Sequence, residues 1–126
     1  MTMERERFNT VWDRDGSLKR LLGDEALLQK MLVMFQQSNT QTLSDISLAI
    51  EKDDYQAVKG LAHKLKGSAS AIGAPRVVED CVIIESAAEH ENNETIRQTF
   101  TQLQHDINGI LAVIDSYLKT TPSSPT

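Results

Sequence analysis

Residues 58–75 read VKGLAHKLKGSASAIGAP, and the spacing inside that stretch decides the fold. At the helical period Val58, Leu61, Ala62, Leu65, Ala69 and Ile72 line up as one apolar stripe, which predicts an amphipathic helix packed on a core. His63 stands away from that stripe. At about 100° per residue, Lys59, Lys66, Gly67 and Ser70 lie within roughly one helix-face width of it. Gly60 comes three residues before the histidine and Gly67 four after it, so both bracket one imidazole on neighbouring turns. A glycine inside a helix costs about 1 kcal/mol relative to alanine. Two of them around one side chain read as bulk cleared from its surroundings. Lys59, Lys64, Lys66 and Arg76 are accompanied by no acid between residues 59 and 76, in a chain of net charge −5. A histidine with free space and local positive charge suits a group that must meet an anion.

Outward from this helix, Gly73 and Pro75 end it and open the next, about Pro75–Glu89, whose buried side is expected to carry Val77 or Val78, Cys81, Ile84 and Ala88. On the other side, Asp53 with Gln56 makes a capping-box-like start. Before it, Asp24 caps a long amphipathic segment with the stripe Leu28, Leu32, Phe35, Asn39, Thr42, Leu43, Ile46 and Ile50, ending near Lys52. His90-Glu91-Asn92-Asn93 forms a polar loop with an asparagine cap. Ile96, Phe100, Leu103, Ile107, Ile110, Ile114 and Tyr117 then alternate by four and three, the pattern of a helix seam packed on its neighbours. Phe8, Val11 and Trp12 have helical spacing, and Asp15-Gly16-Ser17 reads as a turn and cap before Leu18, Leu21 and Leu22. The expected architecture is all-α: an antiparallel up-down-up-down four-helix bundle with one or two short N-terminal helical pieces. Residues 1–14 form a partly helical extension, 15–119 the bundle, and 120–126 (TTPSSPT from Thr120) a disordered tail or linker stub.

At 126 residues the chain is expected to be one domain. Its acidic balance argues against nucleic acid as the main partner, because phosphate binding needs a basic surface. No apolar run approaches the roughly 20 residues of a membrane span, and no signal-peptide pattern opens the chain. Cys81 is the single cysteine, which leaves neither a disulfide framework nor a CxxC metal site. These readings together place the chain in the cytoplasm as an expectation.

Ala62-His63-Lys64-Leu65-Lys66-Gly67, followed by Gly73, resembles the AHxLKGxxxxxG signature of histidine-containing phosphotransfer (HPt) domains. Cys81 with Ile84-Glu85 is similar to that family's C-x-x-L-E stretch, with isoleucine in place of leucine. The resemblance covers about residues 15–119 and implies a phosphocarrier in a multistep His–Asp relay. His63 would accept a phosphoryl group from the aspartate of one receiver domain and pass it to another. The residues support each role separately. A neutral imidazole is nucleophilic near neutral pH. Lys66, one turn on, can reach the incoming phosphoryl oxygens, and Lys59 and Lys64 add field. Gly67, with Gly60, removes bulk that would meet an approaching domain. Ser70, two turns from His63, is placed to hydrogen-bond a partner or orient a water, and Met34, with Met31, offers an adaptable apolar docking patch. No cofactor is intrinsic; the divalent metal would come with the receiver, since no carboxylate cluster is read beside His63. The expected partners are receiver domains of response regulators or a hybrid sensor kinase, with the chain itself a monomer lacking ATPase or kinase activity. Both a complete small protein and the C-terminal piece of a hybrid kinase fit these features.

Other readings compete for the same residues. The lysines can be an ordinary solvated face, and the Gly67/Lys66 face can dock a partner without chemistry, as a helical adaptor would. An enzyme using His63 as general base needs a pocket and a second catalytic group, which a convex helix face does not offer. Gly67-Ser68 after Lys66 has the wrong order for a nucleotide-binding loop. His90 and His105 have no metal-ligand spacing, and Cys81 reads as a small core residue.

Overall fold

The computed structural model of the chain describes residues 10–120. It contains α1 (Arg14–Arg20), α2 (Glu25–Glu51), α3 (Tyr55–Ile72), α4 (Pro75–Glu89) and α5 (Asn93–Thr120), with no strand among the described residues. Helices α2 to α5 form the up-down-up-down bundle. The chain turns between them within residues 52–54, 73–74 and 90–92, so consecutive helices can only run back alongside each other. The expected stripes supply the core: Leu28, Leu32, Phe35, Ile46 and Ile50 of α2, Val58, Ala62, Leu65, Ala69 and Ile72 of α3, and the Ile96–Ile114 seam of α5. Thr42, Leu43, Leu61, Phe100 and Tyr117 sit at its edge and are half-buried. On α4 it is Val77 that is buried and Val78 that lies at the margin. The β-branched run within 81–84 is helical, and it buries Cys81 and Ile84.

Three local expectations change. Asp54, not Asp53, caps α3, its Oδ1 accepting from Ala57 N at 3.1 Å. Asp53 is needed in the turn itself, at a φ of +53°, where its carboxylate accepts from Asn93 instead. Asp13 likewise caps α1 through Gly16 N at 3.0 Å, so Asp15, Gly16 and Ser17 lie inside the helix rather than in a turn before it. Val11 and Trp12 are not helical. Phe8, the rest of residues 1–9 and the tail beyond Thr120 lie outside the described residues.

The non-helical segment around Trp12 has a reason. The last carbonyls of α3 have no partner within their own helix, and the segment 12–20 supplies a donor to three of them and to the carbonyl of the cap residue Gly73. Arg20 donates to Ser70 O (2.9 Å), Ser17 Oγ to Ala71 O (2.6 Å), Trp12 Nε1 to Ile72 O (2.7 Å) and Asp13 N to Gly73 O (2.7 Å). The Trp12 ring also packs edge-on against Tyr117, whose hydroxyl donates to Glu25. A strap thus fixes the end of the histidine helix to α5 and α2.

Gly73 is where this strap passes closest. Its φ is +83°, and a Cβ there would collide with the Asp13 carbonyl oxygen. Gly73→Ala is expected to lower stability by about 2 kcal/mol or more, from left-handed backbone and the clash together. Gly60→Ala, where an added Cβ meets nothing within 4 Å, should be neutral or stabilising. Denaturant midpoints of the two variants on opposite sides of the wild type would check both signs.

Candidate functional site

The apolar stripe of α3 turns His63 outward, and the imidazole is 70% exposed. Its neighbour is contributed by α4. Glu85 Oε2 lies 3.1 Å from His63 Nδ1, and Lys66 Nζ lies 2.8 Å from Glu85 Oε1. Glu85 itself is mostly covered, 17% exposed, and its Oε1 is shut off from solvent. Burial opposes ionisation of this carboxyl, but Lys66 and His63 outweigh it and hold it below the usual carboxylate range. An ionised carboxylate can only accept, so Nδ1 carries a proton, and it is Nε2 that holds the lone pair of the neutral ring. The exposed ring is therefore presented with its nucleophilic nitrogen free.

The anticipated cations are not all free field. Lys66 is tied to Glu85, and Lys59, one turn before His63, is paired with Glu89. The hydrogen bond from Lys59 holds the Glu89 carboxyl below its usual range and raises Lys59 in turn. Lys64 is exposed and makes no ion pair among the described residues. The sequence holds no acid between residues 59 and 76, but Glu85 of the next helix stands against the ring, 22 residues away in sequence. Among the described residues no group of three or more His, Cys, Asp or Glu is placed to hold a metal ion.

Gly60 and Gly67 lie on the crest of α3, and a Cβ at either meets nothing within 4 Å, so neither is required by internal packing. Met34, 65% exposed, and Met31 line a shallow apolar groove between α2 and α3, with Ser38, Ser68 and Ala71. This groove flanks the crest on the side opposite Glu85. Ser70 is exposed at the far end of α3, where its carbonyl takes the Arg20 hydrogen bond and its side chain borders a second depression with Val78 and Val82. His90 Nδ1 donates to Ser86 O at 2.9 Å and His105 is exposed; neither contacts His63; Cys81 is buried, its thiol pushed up to about 12 by desolvation.

A rigid four-helix bundle presenting one carboxylate-held histidine on a glycine-cleared helix face defines a phosphotransfer type of protein. The Hpt domain profile matches residues 30–113, two thirds of the chain, and the chain belongs to that family. It is 32% identical over 81 residues to histidine-containing phosphotransfer protein 1 of Arabidopsis thaliana, covering 63% of this chain and about half (53%) of the plant protein's length. Its fold is similar to that of histidine-containing phosphotransfer protein B from Pseudomonas aeruginosa PAO1, with a TM-score of 0.82 and 18% identity over 90% of this chain and 98% of the other. The HPT domain of a sensor hybrid histidine kinase from Shewanella superposes with a TM-score of 0.79 and 22% identity, over 90% and 97% of the two chains. The strap residues Trp12, Asp13, Ser17 and Arg20 and their partner Tyr117 lie outside the matched segment.

Proposed function

We propose that this chain is a phosphocarrier of a multistep His–Asp relay, with His63 accepting a phosphoryl group from one receiver-domain aspartate and returning it to another. The observation that carries the reading is the exposed His63 ring, its Nδ1 on Glu85 and its Nε2 free, in a chain of the Hpt family. Nε2 attacks phosphorus in line with the departing carboxylate oxygen. Lys66 lies close enough to divide its charge between Glu85 and the phosphoryl oxygens. Such transfers depend on positioning and charge stabilisation, so one histidine on a rigid bundle suffices where the partner brings the rest. The divalent metal belongs to the receiver in this scheme. Gly67 and Gly60 let the receiver approach along the crest, and the groove at Met34 and Met31 gives it an apolar seat. The carrier acts as a monomer, since one histidine completes the site, and a cytoplasmic location belongs to the same reading.

Incubation with a radiolabelled, phosphorylated receiver domain tests this. The expected result is acid-labile, base-stable label on the wild-type chain and none on His63→Gln, with both equally folded by circular dichroism. Label that survives the substitution removes His63 from the reaction.

A further inference from the structure

A phosphohistidine must be made and then broken, and both steps want one proton in one place. In the first, the Nε2 lone pair forms the N–P bond while the bond from phosphorus to the donor's carboxylate oxygen breaks, its electron pair staying on the donor aspartate. The ring keeps its Nδ1 proton and becomes a phosphoimidazolium, positively charged beside the Glu85 carboxylate. In the second, an acceptor carboxylate oxygen attacks phosphorus, the N–P bond breaks and its electron pair returns to Nε2. With Nδ1 still protonated, the ring departs as neutral imidazole. Had that proton been lost in between, the departing group would be an imidazolate anion, a far poorer leaving group.

We propose, on the carrier reading above, that Glu85 is the positioning residue for the second step: it retains the Nδ1 proton of phosphorylated His63 and so sets how readily the phosphoryl group moves on. The placement favours this. His63 is 70% exposed while Glu85 is 17% exposed, so the carboxylate sits beneath the ring, where a docked domain does not displace it. Lys66 at 2.8 Å fixes its far oxygen. The charged groups around the ring are Lys59, Lys64 and Lys66 of α3 and Glu85 and Glu89 of α4; Lys59 and Glu89 are paired with each other. Among the described residues no group of α1, α2 or α5 makes an ion pair with this cluster. Glu85 is thus the one carboxylate in contact with Nδ1. Its partial insulation from solvent strengthens its hold on a positive ring.

The test loads the full chain with phosphoramidate, a small donor needing no docking, and follows N–P cleavage from pH 5 to pH 9 in wild type and Glu85→Gln. The amide keeps a hydrogen-bond acceptor near Nδ1 and removes the charge. Cleavage at pH 5 should be equal in the two. On the alkaline limb the variant should be about tenfold slower, because its profile falls about one pH unit earlier. A merely structural role would scale the whole profile by a constant factor, and that result, or coincident profiles, overturns the proposal. If the variant does not fold, the phosphorus NMR titration of wild type alone decides: its midpoint should lie about one pH unit above that of free Nε2-phosphohistidine, and a coincident midpoint overturns the assignment. A wild-type chain that takes no label on His63 would instead overturn the carrier reading, and this inference with it.

Discussion

Gly67→Gln is expected to cut transfer from a receiver domain to His63 about a hundredfold, the scale of loss when reacting atoms are held roughly 1 Å out of place. The same substitution should leave the bundle as stable as before, or more so by up to about 1 kcal/mol, because glutamine is the better helix former. The two effects separate because a Cβ at Gly67 meets nothing within 4 Å, so the new side chain projects only into the space a partner would occupy. Labelling by phosphoramidate needs no docked domain and should change little. Receiver-dependent and phosphoramidate-dependent rates, measured beside a thermal melt, make the check. Equal losses with both donors would mean that glutamine disturbs the imidazole itself, and a marked fall in melting temperature would return Gly67 to a packing role.

Much of this surface could be read from spacing alone. The stripe from Val58 to Ile72 fixed which side of α3 is buried, and His63, Gly60 and Gly67 then had to face outward. Gly73 followed by Pro75 placed the turn, and the α5 seam followed from four-three alternation. What escaped was whatever depended on how one helix is rotated against the next. Glu85 was visible as part of a family-like C-x-x-I-E stretch, yet its seat under His63 follows from the α3–α4 contact, which no local pattern encodes. That contact also pairs off Lys59 and Lys66, so a run of lysines without acids in sequence is not an unpaired cationic face in space. Trp12 escaped for another reason. Spacing with Phe8 and Val11 suggested a helix, but the carbonyls at the end of α3 needed donors, and the indole N–H and the Asp13 amide reach them only from a non-helical segment. Asp54 displaced Asp53 as a cap because a residue of left-handed backbone was needed first to leave α2.

Asp80 and Asp106 are the other pair hidden from a single-helix reading. Each sits one position off an apolar stripe, beside Cys81 and Ile107, and the packing of α4 on α5 buries both, at 5% and 8% exposure. Gln102 donates to Asp106, and Asp80 Oδ2 is enclosed from solvent beside that carboxyl. Desolvation, and then the neighbouring Asp106 carboxyl, push Asp80 up to about 8, so at neutral pH the folded chain keeps a proton there. The unfolded chain releases that proton near pH 4. Folded protein therefore binds it the more tightly, and its contribution to stability is complete below about pH 4 and lost progressively as pH rises through about 8. Glu85 works in the opposite sense, since its lowered value makes its contribution fade as pH falls into the carboxylate range. Stability should accordingly peak in mildly acidic solution and decline toward pH 9. Asp80→Asn mimics the protonated acid and keeps a donor for Asp106, so it should flatten that decline. Water reaching the pair on relaxation limits the expected gain at pH 9 to roughly 2 kcal/mol, or a melting temperature higher by about 10 °C. At pH 4 the two proteins should melt together. Melting curves from pH 4 to pH 9 decide it: a constant offset across the range would show that Asn packs better without relieving any charge, and a variant less stable at pH 9 would show that the carboxylate at position 80 is needed in its ionised form.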